Sequence, residues 1–170
     1  MIEDAGNGKK RVVSGDKSIL LDEIREKHTK ALDAKYKEVE AAKQEWLAAK
    51  EASDPSRNEK AERFNALKAE AEELKKKTAK NIFDEVQIYI PEEDTIDLHA
   101  QTLEGAVMML EEQLEEQKKK GRSTLRVSCG MGHHNTVGFS KVKEAVVEKL
   151  KEKGMKYEVD ESTGFVTVTI

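Results

Sequence analysis

The chain has 170 residues, 38% of them charged and 37% hydrophobic, with a formal net charge of −4, enough for one or two small domains. The lean apolar fraction fits long solvated helices beside a modest core. The slight acidity excludes a broad basic surface, so any contact with phosphate must come from locally placed cations.

Cys129 is the single cysteine, which rules out an internal disulfide and fits a reducing compartment. No apolar run approaches the roughly 20 residues that span a bilayer. The polar stretch from Met1 to Ser14 has no hydrophobic leader region, so a cytoplasmic protein without membrane contact is expected.

Residues 1–16 read as a disordered tail. From about Ser18 to Ser53 the residues Leu21, Ile24, His28, Leu32, Tyr36, Val39, Ala42, Trp46 and Ala49 repeat at the spacing of a coiled-coil seam, so a long amphipathic helix is predicted. Asp54-Pro55 breaks it. Ser56-Arg57-Asn58-Glu59 then has the form of a capping box, with Ser56 and Glu59 bonding each other's backbone. A second helix follows to about Phe83, with a stripe at Phe64, Leu67, Ala71, Leu74, Thr78 and Ile82. Two long helices joined by a short turn make an antiparallel hairpin extension over 17–86.

Beyond it the period changes. Val86 to Ile90 alternates and stops at Pro91, and Thr95 to His99 reads as a short strand. Thr102 is placed to cap a helix with Leu103, Ala106, Val107, Leu110 and Leu114 inward, closed by Lys118-Lys119-Lys120 and Gly121. Leu125 to Cys129 is the next strand. Ser140 opens a helix with Val142, Ala145, Val146 and Leu150 inward, ending at Gly154. Met155 to Val159 and Phe165 to Ile170 alternate around Ser162-Thr163-Gly164 as a hairpin. The order β-α-β-α-β-β makes residues 87–170 a compact α/β domain, with helices covering one face of its sheet more than the other.

Two stretches carry candidate chemistry: Asp97-Leu98-His99 and Gly130-Met131-Gly132-His133-His134. Each ends an apolar strand, and one helix lies between the strands. A right-handed crossover makes the two strands parallel, so their carboxyl ends meet at one sheet edge, where open α/β sheets bind ligands. Asp97 and His99 are two apart and so project to one face of an extended strand. His99 suits acid–base work, and Asp97 beside it can orient the ring and favour its charged form. Gly130 and Gly132 permit close backbone approach, so the N–H groups of that loop can cradle a phosphate. Arg126, Lys141 and Lys143 are the nearby cations.

Each element has a bland reading: an incidental Asp-X-His, a tight turn, two surface histidines. A zinc site drawn from Asp97, His99, Cys129, His133 and His134 lacks the usual paired spacings. No metal site or cofactor is therefore assigned, although a divalent cation is compatible with the chemistry.

The stretches TIDLHAQTLEGAVMMLEEQLEE and RSTLRVSCGMGHH resemble the small MutS-related (Smr) domain. In that family a strand ending Asp-Leu-His-Gly is followed by a helix and a strand leading into Thr-Gly-X-Gly-X-His. The resemblance covers about 95–170, and the part ending TAKNIFDE is similar to a helical extension that often precedes the domain. The resemblance implies an Smr-like α/β sandwich, nucleic-acid binding, and endonuclease activity on RNA or nicking of DNA. With the helical extension, it points to RNA and ribosome-linked quality control.

Asp97 and His99 match the family's catalytic pair, and Gly130, Gly132 and His134 match its loop, with Met131 inside it. Ala100, Met131, Cys129 and Asn135 depart from the usual residues, and the loop 129–139 holds no Arg or Lys. Loss of a loop cation weighs on catalytic rate more than on binding. The expectation is a nuclease of single-stranded RNA in which Asp97 and His99 react. Gly130, Met131, Gly132, His134, Arg126, Lys141 and Lys143 hold the strand. The alternative is a non-catalytic RNA-, DNA- or ribosome-binding adaptor.

Overall fold

The computed structural model describes residues 2–6, 9–14, 17–98, 100–129 and 141–170. Contacts divide the chain into two compact units, Lys27–Thr78 and Met1–Glu26 joined with Ala79–Ile170.

The Lys27–Thr78 unit is the paired portion of two long helices, α1 (Leu21–Glu51) and α2 (Arg57–Gln87). Leu32, Ala42, Ala49 and Ala71 are buried in it, and Trp46 stacks on Phe64 with ring centroids 5.6 Å apart. Lys35 reaches Glu70 at 3.0 Å and Arg63 reaches Glu45 at 2.9 Å, the cross-pairs of antiparallel helices. Exposed pairs like these contribute little stability. Tyr36, expected on the seam, is 42% exposed. The turn also differs from expectation. Asp54 Oδ1 accepts from the Ser56 N–H at 2.8 Å and from the Ser56 hydroxyl at 2.7 Å. The nearer carboxylate claims the serine that a capping box would have used, and it forms an Asx turn.

In the other unit, β1 (Ile2–Gly6), β2 (Lys9–Ser14) and β3 (Lys17–Leu20) form an antiparallel meander. Residues 1–16 were expected to be irregular, and two strands occupy most of that stretch instead. Gly6 pairs with Lys9 and Ser14 with Lys17, so each connection is two residues long. Asn7-Gly8 and Gly15-Asp16 stand at those connections, and such dipeptides are two-residue hairpin signals.

The closing turns of α2 belong to this unit as well. Val86 to Ile90, read as alternating, instead extends the helix to Gln87 and ends in a turn, with the Tyr89 N–H donating to the Val86 carbonyl at 3.0 Å. Val86 lies four residues past Ile82, and both close a cluster with Leu21, Ile24 and Ala100. That tertiary contact selects the helical period over the alternating one.

The α/β core follows as β4 (Thr95–Asp97), α3 (Leu103–Lys119), β5 (Thr124–Ser128), α4 (Lys141–Glu152), β6 (Lys156–Asp160) and β7 (Phe165–Thr169). The sheet order is β4-β5-β7-β6, with β4 parallel to β5 and the remaining pairs antiparallel. One sheet face supplies Ile96, Leu125, Val127, Val166 and Val168 to a cluster with Ala106, Met109, Leu110, Leu114, Val146 and Leu150 from α3 and α4.

Thr102 caps α3 as expected, its hydroxyl accepting from the Gly105 N–H at 3.1 Å. Leu103, expected inward, is 45% exposed, and the buried stripe runs through Met109, Gln113 and Gln117 instead. Gly121 follows the C-cap Lys120 with φ 73°, and the Arg122 N–H returns to the Gln117 carbonyl at 3.0 Å. This Schellman closure needs a left-handed residue.

Candidate nucleic-acid site

Parallel pairing of β4 and β5 puts their carboxyl ends side by side. Asp97 stands opposite Ser128, and the Leu98 N–H donates to the Ser128 carbonyl at 2.9 Å. One residue further, the Cys129 N–H donates to the Gly164 carbonyl at 3.2 Å, tying this edge to the turn before β7. Ile96 and Leu98 feed the apolar cluster, so alternation sends Asp97 to the opposite face, the face of Arg126 and Ser128.

Asp97 is 1% exposed. Cys129 is equally buried and joins the apolar cluster, its thiol 3.8 Å from the Val127 carbonyl. Burial pushes that thiol up to about 12, with the Asp97 charge adding to the rise and the Lys143 charge opposing it. A protonated, buried thiol is neither nucleophile nor metal ligand. The same three-way interaction places the ends of β4 and β5 within electrostatic reach of the first turn of α4. The Lys143 ammonium also pairs with Glu161 at 2.8 Å.

Of the expected site residues, Asp97 and Lys143 both act by charge on the Cys129 thiol. Arg126 lies one row back along β5 on the Asp97 face. Its guanidinium carbon is 4.6 Å from the Phe165 ring centroid. Lys141 is the exposed first residue of α4. His99, Gly130, Met131, Gly132 and His134, along with His133 and Asn135, lie outside the described residues.

Two residues absent from the expectation belong to this neighbourhood, Ser128 opposite Asp97 and Phe165 beneath Arg126. Both are found through register, which one strand's pattern does not give. The alternation Phe165-Val166-Thr167-Val168-Thr169 does carry a signal, since it sends Phe165 to the face away from the buried valines. Ala100 also gains an explanation. Its methyl is buried among Leu21, Ile24, Ile82 and Val86, where glycine would leave a gap.

Residues 96–164 match the Smr domain family. An Smr domain-containing protein of Schizosaccharomyces pombe is 28% identical over 75 residues, and the alignment covers 44% of this chain and 36% of that protein. The chain thus aligns with about a third of that relative's length. The solution structure of the B3BP Smr domain is also similar, at 27% identity and a TM-score of 0.43, covering 54% of this chain and 91% of that one. The Smr family is nucleic-acid-binding and often nuclease-related. No helix among the described residues is long and apolar enough to cross a membrane. The motif order, the β4–β5 pairing and the family match agree: residues 96–164 of this chain are an Smr domain.

Proposed function

We propose that the chain is a metal-independent endonuclease of single-stranded RNA with Asp97 and His99 as its reacting pair. The supporting observation is the pairing of Asp97 with Ser128 at the edge from which the Gly130–His134 segment leaves in sequence. In this reading His99 takes the proton from the 2′-hydroxyl as that oxygen attacks phosphorus, while Asp97 orients the imidazole. The bond to the 5′-oxygen breaks, and that oxygen leaves with a proton taken from water. The products are a 2′,3′-cyclic phosphate and a 5′-hydroxyl. Backbone N–H groups of Gly130, Met131 and Gly132, with His134, hold the scissile phosphate. Arg126, Lys141 and Lys143 supply charge. A ribosome- or mRNA-surveillance-linked role in the cytoplasm, with the helical hairpin as the protein-binding part, completes the proposal.

The test is cleavage of end-labelled RNA and DNA by wild type, Asp97→Asn and His99→Ala, with circular dichroism confirming the fold. His99→Ala is expected to lose about 10²–10⁴-fold in rate while binding is retained, and DNA lacking the 2′-hydroxyl is expected to stay intact. Unchanged cleavage by His99→Ala, or 5′-phosphate products that require a divalent ion, would overturn the mechanism.

The loop without Arg or Lys and the net charge of −4 favour a second reading, a non-catalytic nucleic-acid or ribosome adaptor. Equal binding by all three proteins with no cleavage by any selects it.

A further inference from the structure

The sheet face that carries Asp97 has an order of its own. Cross-strand register gives one row of Asp97, Ser128, Phe165 and Asp160 and a neighbouring row of Thr95, Arg126, Thr167 and Glu158. Arg126 is exposed and Phe165 half-buried, with the guanidinium carbon 4.6 Å from the ring centroid. Among the described residues that guanidinium pairs with no carboxylate, although Glu158 shares its row. The aromatic face holds it, and no described residue takes its donors. A ring beneath a guanidinium restricts the long side chain in advance, so less rotamer freedom is lost when a ligand settles on it.

A planar cation resting on an aromatic ring is a surface on which a nucleobase stacks, and stacking requires a base released from a duplex. Glu158 and Asp160 line the β6 side, which repels a phosphate chain and turns it toward β4 and β5. Asp97 lies there, two strands from Phe165, or about 10 Å at the usual strand spacing. That separation suits a nucleotide adjacent to a phosphate held at the Asp97 edge.

We propose that Arg126 and Phe165 form a stacking platform for one base of single-stranded nucleic acid, next to the phosphate at the Asp97 edge. The platform rests on the nucleic-acid reading above and adds to it a physical basis for choosing single strands.

The experiment uses the full chain and a 2′-O-methyl oligoribonucleotide carrying 2-aminopurine, which binds without being cleaved by the 2′-hydroxyl route. A DNA oligonucleotide and a duplex are the comparison arms. Wild type is expected to quench the 2-aminopurine emission on both single strands and to bind the duplex about tenfold more weakly. Phe165→Leu keeps the apolar bulk and Arg126→Lys keeps the charge. Each is expected to lose the quenching and to weaken single-strand binding about tenfold, whereas Lys156→Gln on the same face leaves both unchanged. Quenching that persists in Phe165→Leu and Arg126→Lys, with wild-type binding intact, overturns the platform and leaves the nuclease reading standing. Absence of any single-strand binding by wild type overturns both.

Discussion

Cys129 reports on the Asp97 edge without taking part in its chemistry. Its thiol is raised to about 12 by burial and by the Asp97 charge, against the pull of Lys143. Near pH 8 the folded chain should therefore resist iodoacetamide, and the unfolded chain should react at the rate of an ordinary cysteine. Replacing Asp97 by Asn removes a negative charge and should lower the thiol's pKa, so alkylation speeds up. Replacing Lys143 by Gln should slow it further. Equal rates in both variants would mean that the charges of β4 and α4 do not meet at Cys129. Asp97, Arg126 and Lys143 stand out in the sequence as candidates because a carboxylate or cation at a strand or helix end contrasts with an apolar run. Ser128 and Phe165 were not, because their importance comes from which residue sits opposite in another strand, and local alternation is silent on register.

At the scale of elements, the start of α3 is the most sensitive joint. A methyl group on Gly105 would lie 2.7 Å from Gln101 Oε1 and 2.9 Å from the Thr102 hydroxyl. Gln101 cannot swing away freely, since it is 2% exposed and its amide donates to the Ala79 carbonyl at 2.7 Å. Gly105→Ala is expected to destabilise by about 1–2 kcal/mol, despite alanine's better helix propensity. Thr102→Ala should cost about 1 kcal/mol through loss of the cap. Urea denaturation measures both, and a Gly105→Ala protein more stable than wild type would refute the clash.

The turns respond to acid. Hydrogen bonds from Ser56 hold the Asp54 carboxyl below its ordinary pKa, and those from Ser162 and Thr163 do the same for Asp160. A pKa lowered on folding gives stability that is present above the unfolded value and lost as pH falls through the folded one. Thermal midpoints followed below about pH 4 should therefore decline less steeply in Asp54→Asn and Asp160→Asn than in wild type. The helices, both ends of α3 and the closing hairpin were readable from period and punctuation. Val86 to Ile90 was not, because five residues fit both periods and a distant contact with Leu21 and Ile24 decides. The first strands were missed because a polar composition outweighed two short turn dipeptides.

For the molecule as a whole, a net charge of −4 limits how strongly nucleic acid is held by charge alone. If Arg126, Lys141 and Lys143 carry the phosphate contacts, the slope of log affinity against log salt should be about −2 for a single strand. A much steeper slope would reveal a basic surface not yet assigned. The helix α2 has a different kind of consequence. Its last turns place Ala79 and Phe83 in the apolar cluster of the sheet, and Ile82 and Val86 beside Leu21 and Ile24. The match to the family begins only at residue 96. The stretch recognisable by kinship is thus shorter than the stretch able to keep itself folded. A fragment cut at the edge of the match would bare the cluster where Phe83 sat, losing about 1.5–3 kcal/mol for each large side chain left unburied, out of a typical total of about 5–15 kcal/mol. What descent has kept similar and what physics needs intact have different borders here, and the last turns of α2 lie between them: a fragment from Ala79 should still lack the Leu21 and Ile24 side of its second cluster, and a fragment from residue 96 should be the first to aggregate.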